Sequence, residues 1–117
     1  MKETEVYQRV VKPWCKKNKI LVHRMESKAI PDIYMTKNNN VLWAELKSVL
    51  TERAVVRPDW RPGQLAWIKE NQAHGTNNIC LILFYAGQIF WLEPKEEYSE
   101  EELICQKAQY LMSLNKK

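Results

Sequence analysis

The sequence predicts one α/β domain in which a mixed sheet of about five strands is flanked by helices. Three observations lead there. The chain has 117 residues, enough for one core and too few for two. Apolar residues make up 45% and charged residues 27%, ordinary values for a folded chain. Helical and strand periodicities then alternate along the chain in the order helix, three strands, helix, two strands, helix.

Residues 2–17 form the first amphipathic segment. Val6, Val10 and Trp14 recur at i, i+4 and i+8, with Tyr7 and Val11 beside them. Pro13 lies inside this pattern, so a break near Lys12 is expected. Ile20-Leu21-Val22-His23-Arg24 is a β-branched run that suits a strand. Ala29 to Met35 is a second strand, entered through Pro31, since proline is tolerated at a strand start. Lys37-Asn38-Asn39-Asn40 is a turn signal, because Asn accepts left-handed backbone.

Val41 to Val49 makes the third strand and closes a hairpin with the second. Val41, Trp43 and Glu45 take one face; Leu42, Ala44 and Leu46 take the other. Thr51 to Pro62 reads as a loop carrying Arg53, Arg57, Trp60 and Arg61. Gly63 to His74 is a helix with Leu65, Ile68 and Trp67 as inward candidates, stopped by Gly75. Ile79 to Tyr85 is almost unbroken apolar sequence, the mark of a strand covered on both faces. Ala86-Gly87-Gln88 turns the chain into Ile89–Leu92. Ser99 caps a last helix running to about Leu114, with Glu102 at the capping-box position.

Composition excludes several function classes. The longest apolar run, Ile79 to Ala86, is far short of the roughly 20 residues that cross a bilayer. The charged first residues lack the apolar stretch of a secretory signal. Cys15, Cys80 and Cys105 are an odd number at wide spacing, neither a disulfide framework nor a zinc site, and a cytoplasmic setting is expected. With only three glycines, no phosphate-cradling or dinucleotide loop is present, so no nucleotide cofactor is expected. The net charge is +4. Residues 1–60 hold 12 Lys+Arg against 7 Asp+Glu, which puts the positive field in the N-terminal half.

The residues that carry chemistry sit on the hairpin. Pro31-Asp32 stands in its first strand and Glu45-Leu46-Lys47 in its second. Glu45 and Lys47 are two apart and share a face. With the turn near 38–39, Asp32 falls almost opposite Glu45, where cross-strand Cβ atoms are about 4.5–5.5 Å apart. Two carboxylates that close do not both ionise cheaply without a cation. Mg²⁺ or Mn²⁺ suits them, with the Leu46 carbonyl as a further oxygen ligand and Lys47 placed to hold or deprotonate an attacking water.

This arrangement resembles the PD-(D/E)XK nuclease superfamily, and within it the small phage nucleases related to VRR-NUC domains and the archaeal Holliday-junction resolvases. The residues that carry the resemblance are Pro31-Asp32 followed by Glu45-Leu46-Lys47, an acidic first helix, Arg24 ending the strand before the hairpin, and Gln64 opening the helix after it. The likeness spans roughly residues 3–92. It implies a restriction-endonuclease-like core and a Mg²⁺- or Mn²⁺-dependent endonuclease acting on DNA and leaving 5′-phosphate ends. It makes Asp32, Glu45, Lys47 and Gln64 the catalytic residues, and Asp32, Glu45 and the Leu46 carbonyl metal ligands. The family's helix-borne acid falls on Glu5, next to Val6, with Glu3 and Glu26 as alternatives. Arg24, Lys28, Arg53, Arg57 and Arg61 are expected on the nucleic-acid backbone, with Trp60 against a base or against the core. The likeness to resolvases also favours a homodimer, for which Leu103, Lys107, Tyr110 and Leu114 mark one face of the last helix. A nuclease fold that grips nucleic acid without cutting is the rival expectation.

Overall fold

In a computed structural model, residues 1–25 and 31–104 are described. The chain begins with α1 (Glu3–Val6), a π-helical turn (Tyr7–Val11) and α2 (Lys12–Lys17). β1 (Leu21–Arg24), β2 (Ile33–Lys37) and β3 (Asn40–Val49) follow, then the short β4 (Val55–Val56) and α3 (Gln64–Ala73). The chain then forms β5 (Ile79–Tyr85), β6 (Gln88–Leu92), β7 (Tyr98–Ser99) and the start of a last helix, α4 (Glu100–Ile104).

Five strands build a mixed sheet in the order β1-β2-β3-β5-β6. β1-β2-β3 is an antiparallel meander, β3 and β5 run parallel, and β6 returns antiparallel to β5. A parallel pair needs a long crossover, and residues 50–78, which include α3, provide it. The α/β expectation with a five-stranded mixed sheet is met.

Each sheet face has its own core. On one, Val6, Tyr7, Val11 and Cys15 from the first helical segment cover Ile33, Met35, Leu42, Ala44, Leu46, Cys80 and Ile82. On the other, Val56, Tyr98 and Leu103 close over Leu81, Leu83, Tyr85 and Leu92. β5 therefore buries both faces, as its apolar run requires.

Several details differ from the sequence reading. The first helix does not break before Pro13. It widens into the π turn, where the Lys12 N–H reaches Tyr7 O, five residues back. The wide turn makes room for a ring that would otherwise crowd the preceding turn. The inserted residue also rotates the inner face. Val6, Tyr7, Val11 and Cys15 are buried, whereas Val10 and Trp14 are only half-buried. β2 begins at Ile33, so Pro31 and Asp32 precede it. Ala29 and Ile30, like Lys28 and Glu26, lie outside the described residues. On α3 the buried positions are Gln64 and Ile68, not Leu65 or Trp67. The loop after β3 hides a strand: β4 pairs with β7, an element too short to leave a periodic signal. The capping box of α4 forms, with Glu102 N–H donating to Ser99 Oγ and Ser99 N–H to Glu102 Oε1, both at 3.1 Å. Leu103 is spent in the core, and Lys107, Tyr110 and Leu114 of the expected docking face lie outside the described residues.

Candidate active site

The hairpin turn fixes the site. Asn38 and Asn39 both take left-handed backbone, with φ of 52° and 65°, the conformation a two-residue hairpin turn demands. From there the register runs Lys37↔Asn40 to Ile33↔Ala44. One more step brings Asp32 opposite Glu45. Beyond the last pair, Leu46 N–H donates to Asp32 Oδ1 at 3.3 Å. A strand residue presents its N–H and C=O to the same neighbour, so the Leu46 carbonyl opens on the Asp32 side as well.

Glu45 and Lys47 share the β3 face with Trp43, and both are buried, at 3% and 4% exposure. Lys47 Nζ lies 3.9 Å from Glu45 Oε2. Gln64 ties them together. Its Nε2 donates to Glu45 Oε2 at 3.0 Å, and its Oε1 accepts from Lys47 Nζ at 2.9 Å and from Arg61 N–H at 2.7 Å. Only α3 starting at Gln64, on the left-handed Gly63 (φ 87°), puts this amide in the site. Trp60 closes the site over Lys47, whose ammonium is 5.7 Å from the ring centroid. The Trp60 indole N–H is held by Lys95 O at 2.8 Å. Trp60 thus anchors its loop to the core.

Asp32 is the opening of the cluster. Arg24 Nε stands 3.6 Å from Asp32 Oδ2, and the Arg24 guanidinium lies over the Tyr7 ring, 5.6 Å from its centroid. The same guanidinium donates to Thr4 Oγ1 at 3.3 Å. An open cleft of about 910 Å³ runs past Asp32, lined by Tyr7, Lys12, His23, Arg24 and Arg61 among others.

Burial raises both carboxyls. Asp32 is lifted by desolvation, against the pull of the Leu46 N–H and of Arg24. Glu45 is pushed up to about 8, first by desolvation and then by the charge of Asp32, with Lys47 opposing and Glu3 adding to the rise.

Glu5 is the residue expected as the helix-borne ligand. Its side chain is 47% exposed and pairs with Arg9 at 3.9 Å. The helix acid whose charge acts on Glu45 is Glu3. The signal was available: Glu3 stands four residues before the buried Tyr7, whereas Glu5 shares the outer side with Arg9. Of the expected backbone contacts, Arg24 and Arg61 line the cleft at Asp32. Arg53 and Arg57 line a separate hollow of about 540 Å³ beyond the end of β3. There Arg57 is paired with Glu97 at 2.9 Å, and the Arg53 backbone exchanges hydrogen bonds with the Tyr85 hydroxyl. Lys28 lies outside the described residues. Lys12 was missed because it reads as an ordinary solvated helix lysine.

Glu45 Oε1 is buried and has no hydrogen-bond partner. An orphaned carboxylate oxygen is costly. Two adjacent carboxyls held above their ordinary range fit a hard cation, which favours their charged forms. Among the described residues no group of three or more His, Cys, Asp or Glu is arranged to hold a metal. The Leu46 carbonyl, water or a phosphate oxygen would have to complete the shell. No family model, curated protein or solved structure matches the chain.

Proposed function

We propose that the protein is a metal-dependent nuclease of restriction-endonuclease-like fold that hydrolyses phosphodiester bonds of DNA at the Asp32–Glu45–Lys47–Gln64 cluster. The observation that carries this reading is the buried, donor-free Glu45 Oε1 beside a second raised carboxyl at the mouth of a basic cleft. The resemblance of Pro31-Asp32 and Glu45-Leu46-Lys47 to the PD-(D/E)XK signature supports it.

Asp32 and Glu45 would hold Mg²⁺ or Mn²⁺ together with the Leu46 carbonyl. When bound, such an ion neutralises the carboxylates and polarises the phosphodiester for attack by water. The chain's own residues do the rest. The Leu46 N–H fixes Asp32 Oδ1. Gln64 holds Glu45 Oε2 and Lys47 Nζ in register, so Oε1 stays available. Burial and the charge of Asp32 hold the Glu45 carboxyl above its ordinary range, and Lys47 opposes them by favouring its charged form. Lys47 also stabilises negative charge developing on the phosphate. Arg24 and Arg61 hold non-bridging phosphate oxygens in the cleft.

The test is cleavage of a four-way junction, a flap, a duplex and a single strand with Mg²⁺, Mn²⁺ or EDTA, alongside Asp32→Ala and Lys47→Ala. Metal-dependent cutting by the wild type, lost in both variants with the fold intact by circular dichroism, is expected. Undiminished cutting by Asp32→Ala refutes the assignment. Salt-sensitive binding indifferent to Mg²⁺, with no cutting of any substrate, supports instead a module that grips without cleaving.

A further inference from the structure

Three aromatic rings stand in a row across the meander. Register pairs His23 with Tyr34 and Tyr34 with Trp43, one ring from each of β1, β2 and β3. Ring centroids are 6.5 Å apart for the first pair and 5.1 Å for the second. Residues directly opposite in an antiparallel pair share a face. This face is also that of Glu45, two residues beyond Trp43 along β3, about 7 Å away, and Asp32 stands two residues before Tyr34. The row therefore lies next to the carboxylate pair, on the same side of the sheet.

The row is open to solvent. His23 is exposed, Tyr34 and Trp43 are half-buried, and beyond them on the same face Leu21 is 56% exposed. The second core, which covers this side of the sheet, draws its buried residues from β5 and β6 and from β4, β7 and α4, none from β1 or β2. His23 and Asp32 line one cleft, whose other walls carry Lys12, Arg24 and Arg61. Lys12 and Arg24 approach the carboxylates from the helix-covered side, across the β1 edge, whereas Arg61, next to Gln64, brings a cation to the side of the rings.

We propose that this face is a stacking platform for unpaired bases, which makes the substrate of the proposed nuclease a single-stranded nucleic acid. The inference rests on that reading for its cleavage consequence, though not for binding. Every base has a π-face that an aromatic side chain can take, whereas in a duplex those faces are already covered by neighbouring pairs. Cations in the cleft hold the backbone, and the rings select strands whose bases are free. A strand crossing the β1 edge at the cleft places a phosphate at Asp32 while its neighbouring bases pass over His23 and on to Tyr34.

The experiment measures binding of the full chain in EDTA, where cutting is absent. Its probes are a labelled oligo-deoxythymidine of about 12 nucleotides and a duplex of matched length. Tighter binding of the single strand is expected. Tyr34→Leu is expected to weaken it about 5- to 150-fold, the range for one stacked base, while Tyr34→Phe retains it and duplex binding stays unchanged. Should Tyr34→Leu fail to fold, His23→Ala on the exposed edge strand gives the same comparison. Equal or tighter duplex binding, no binding, or unchanged affinity after loss of the ring overturns the platform. Cleavage in Mg²⁺ is scored separately. Single-strand binding through Tyr34 without cutting counts against the nuclease and keeps the platform. Duplex cutting indifferent to Tyr34→Leu does the reverse.

Discussion

Replacing Glu45 by Gln should stabilise the metal-free protein, and by more as the pH rises. The carboxyl is pushed from an ordinary 4.5 to about 8. Between those values the native state keeps a proton that the unfolded chain has released. Native stability is therefore whole below 4.5 and falls as the pH climbs toward 8. At about 1.4 kcal/mol per pH unit the native state loses about 3 kcal/mol by pH 7. Glutamine keeps the shape, and its carbonyl still accepts from Gln64 Nε2. It gives up the Lys47 ion pair, however, which offsets part of the gain. A net stabilisation of about 1–3 kcal/mol at pH 7 remains, or roughly 4–12 °C in Tm for a chain of this size. The assay is thermal unfolding in EDTA from pH 4.5 to 8, wild type against Glu45→Gln. A Tm difference that does not grow with pH would refute the claim that burial holds this carboxyl neutral. Adding Mg²⁺ or Mn²⁺ should raise the wild-type Tm with concentration and leave the variant unmoved, since only a ligand of the native state shifts its stability.

Gln64→Leu should destabilise the fold by about 2–4 kcal/mol, because it leaves Arg61 N–H and Lys47 Nζ without their acceptor; urea unfolding reads this directly. Glu3→Gln should lower the pH at which the wild-type stability loss is complete, and so make that loss smaller, by easing the charge on Glu45, whereas Glu5→Gln should cost no more stability than its exposed pair with Arg9 supplies, about 0–1 kcal/mol. A pH series of melts separates the two. Ser99→Ala should cost about 1 kcal/mol by removing the cap from Glu102 N–H, measured as a drop in Tm without change in metal response.

The hairpin was legible because strand alternation and turn chemistry agreed. Leu42, Ala44 and Leu46 face the first core, and Asn38-Asn39 make the turn. That agreement brought Asp32, Glu45 and Lys47 together on paper. What escaped had no local signature. The π turn is a tertiary answer to Pro13, and a helical wheel with a fixed period selects Val10 and Trp14 where Tyr7 and Cys15 are buried. Adjacency to Val6 favours Glu5 over Glu3, but consecutive residues of a helix do not share a face. β4 and β7 are two residues each and exist only because distant segments meet. The case for Arg53 and Arg57 on the backbone rests on arginines interleaved with Trp60, and that pattern does not say which side of a loop a side chain leaves from.

The left-handed Asn38-Asn39 pair also works as a ruler. Five paired positions separate it from the carboxylates, from Lys37↔Asn40 to Ile33↔Ala44. The spacing of the two carboxyls is therefore set at the far end of the hairpin. One residue added to that turn would slide β2 by a step and set Ile33 where Asp32 now meets Glu45, turning the aspartate toward the opposite face. Every chemical group would survive, and the pair would be lost. The chain's tolerance to insertion at this exposed, polar tip should thus be far lower than its surface position suggests, and Gly in place of either Asn should be accepted where an added residue is not.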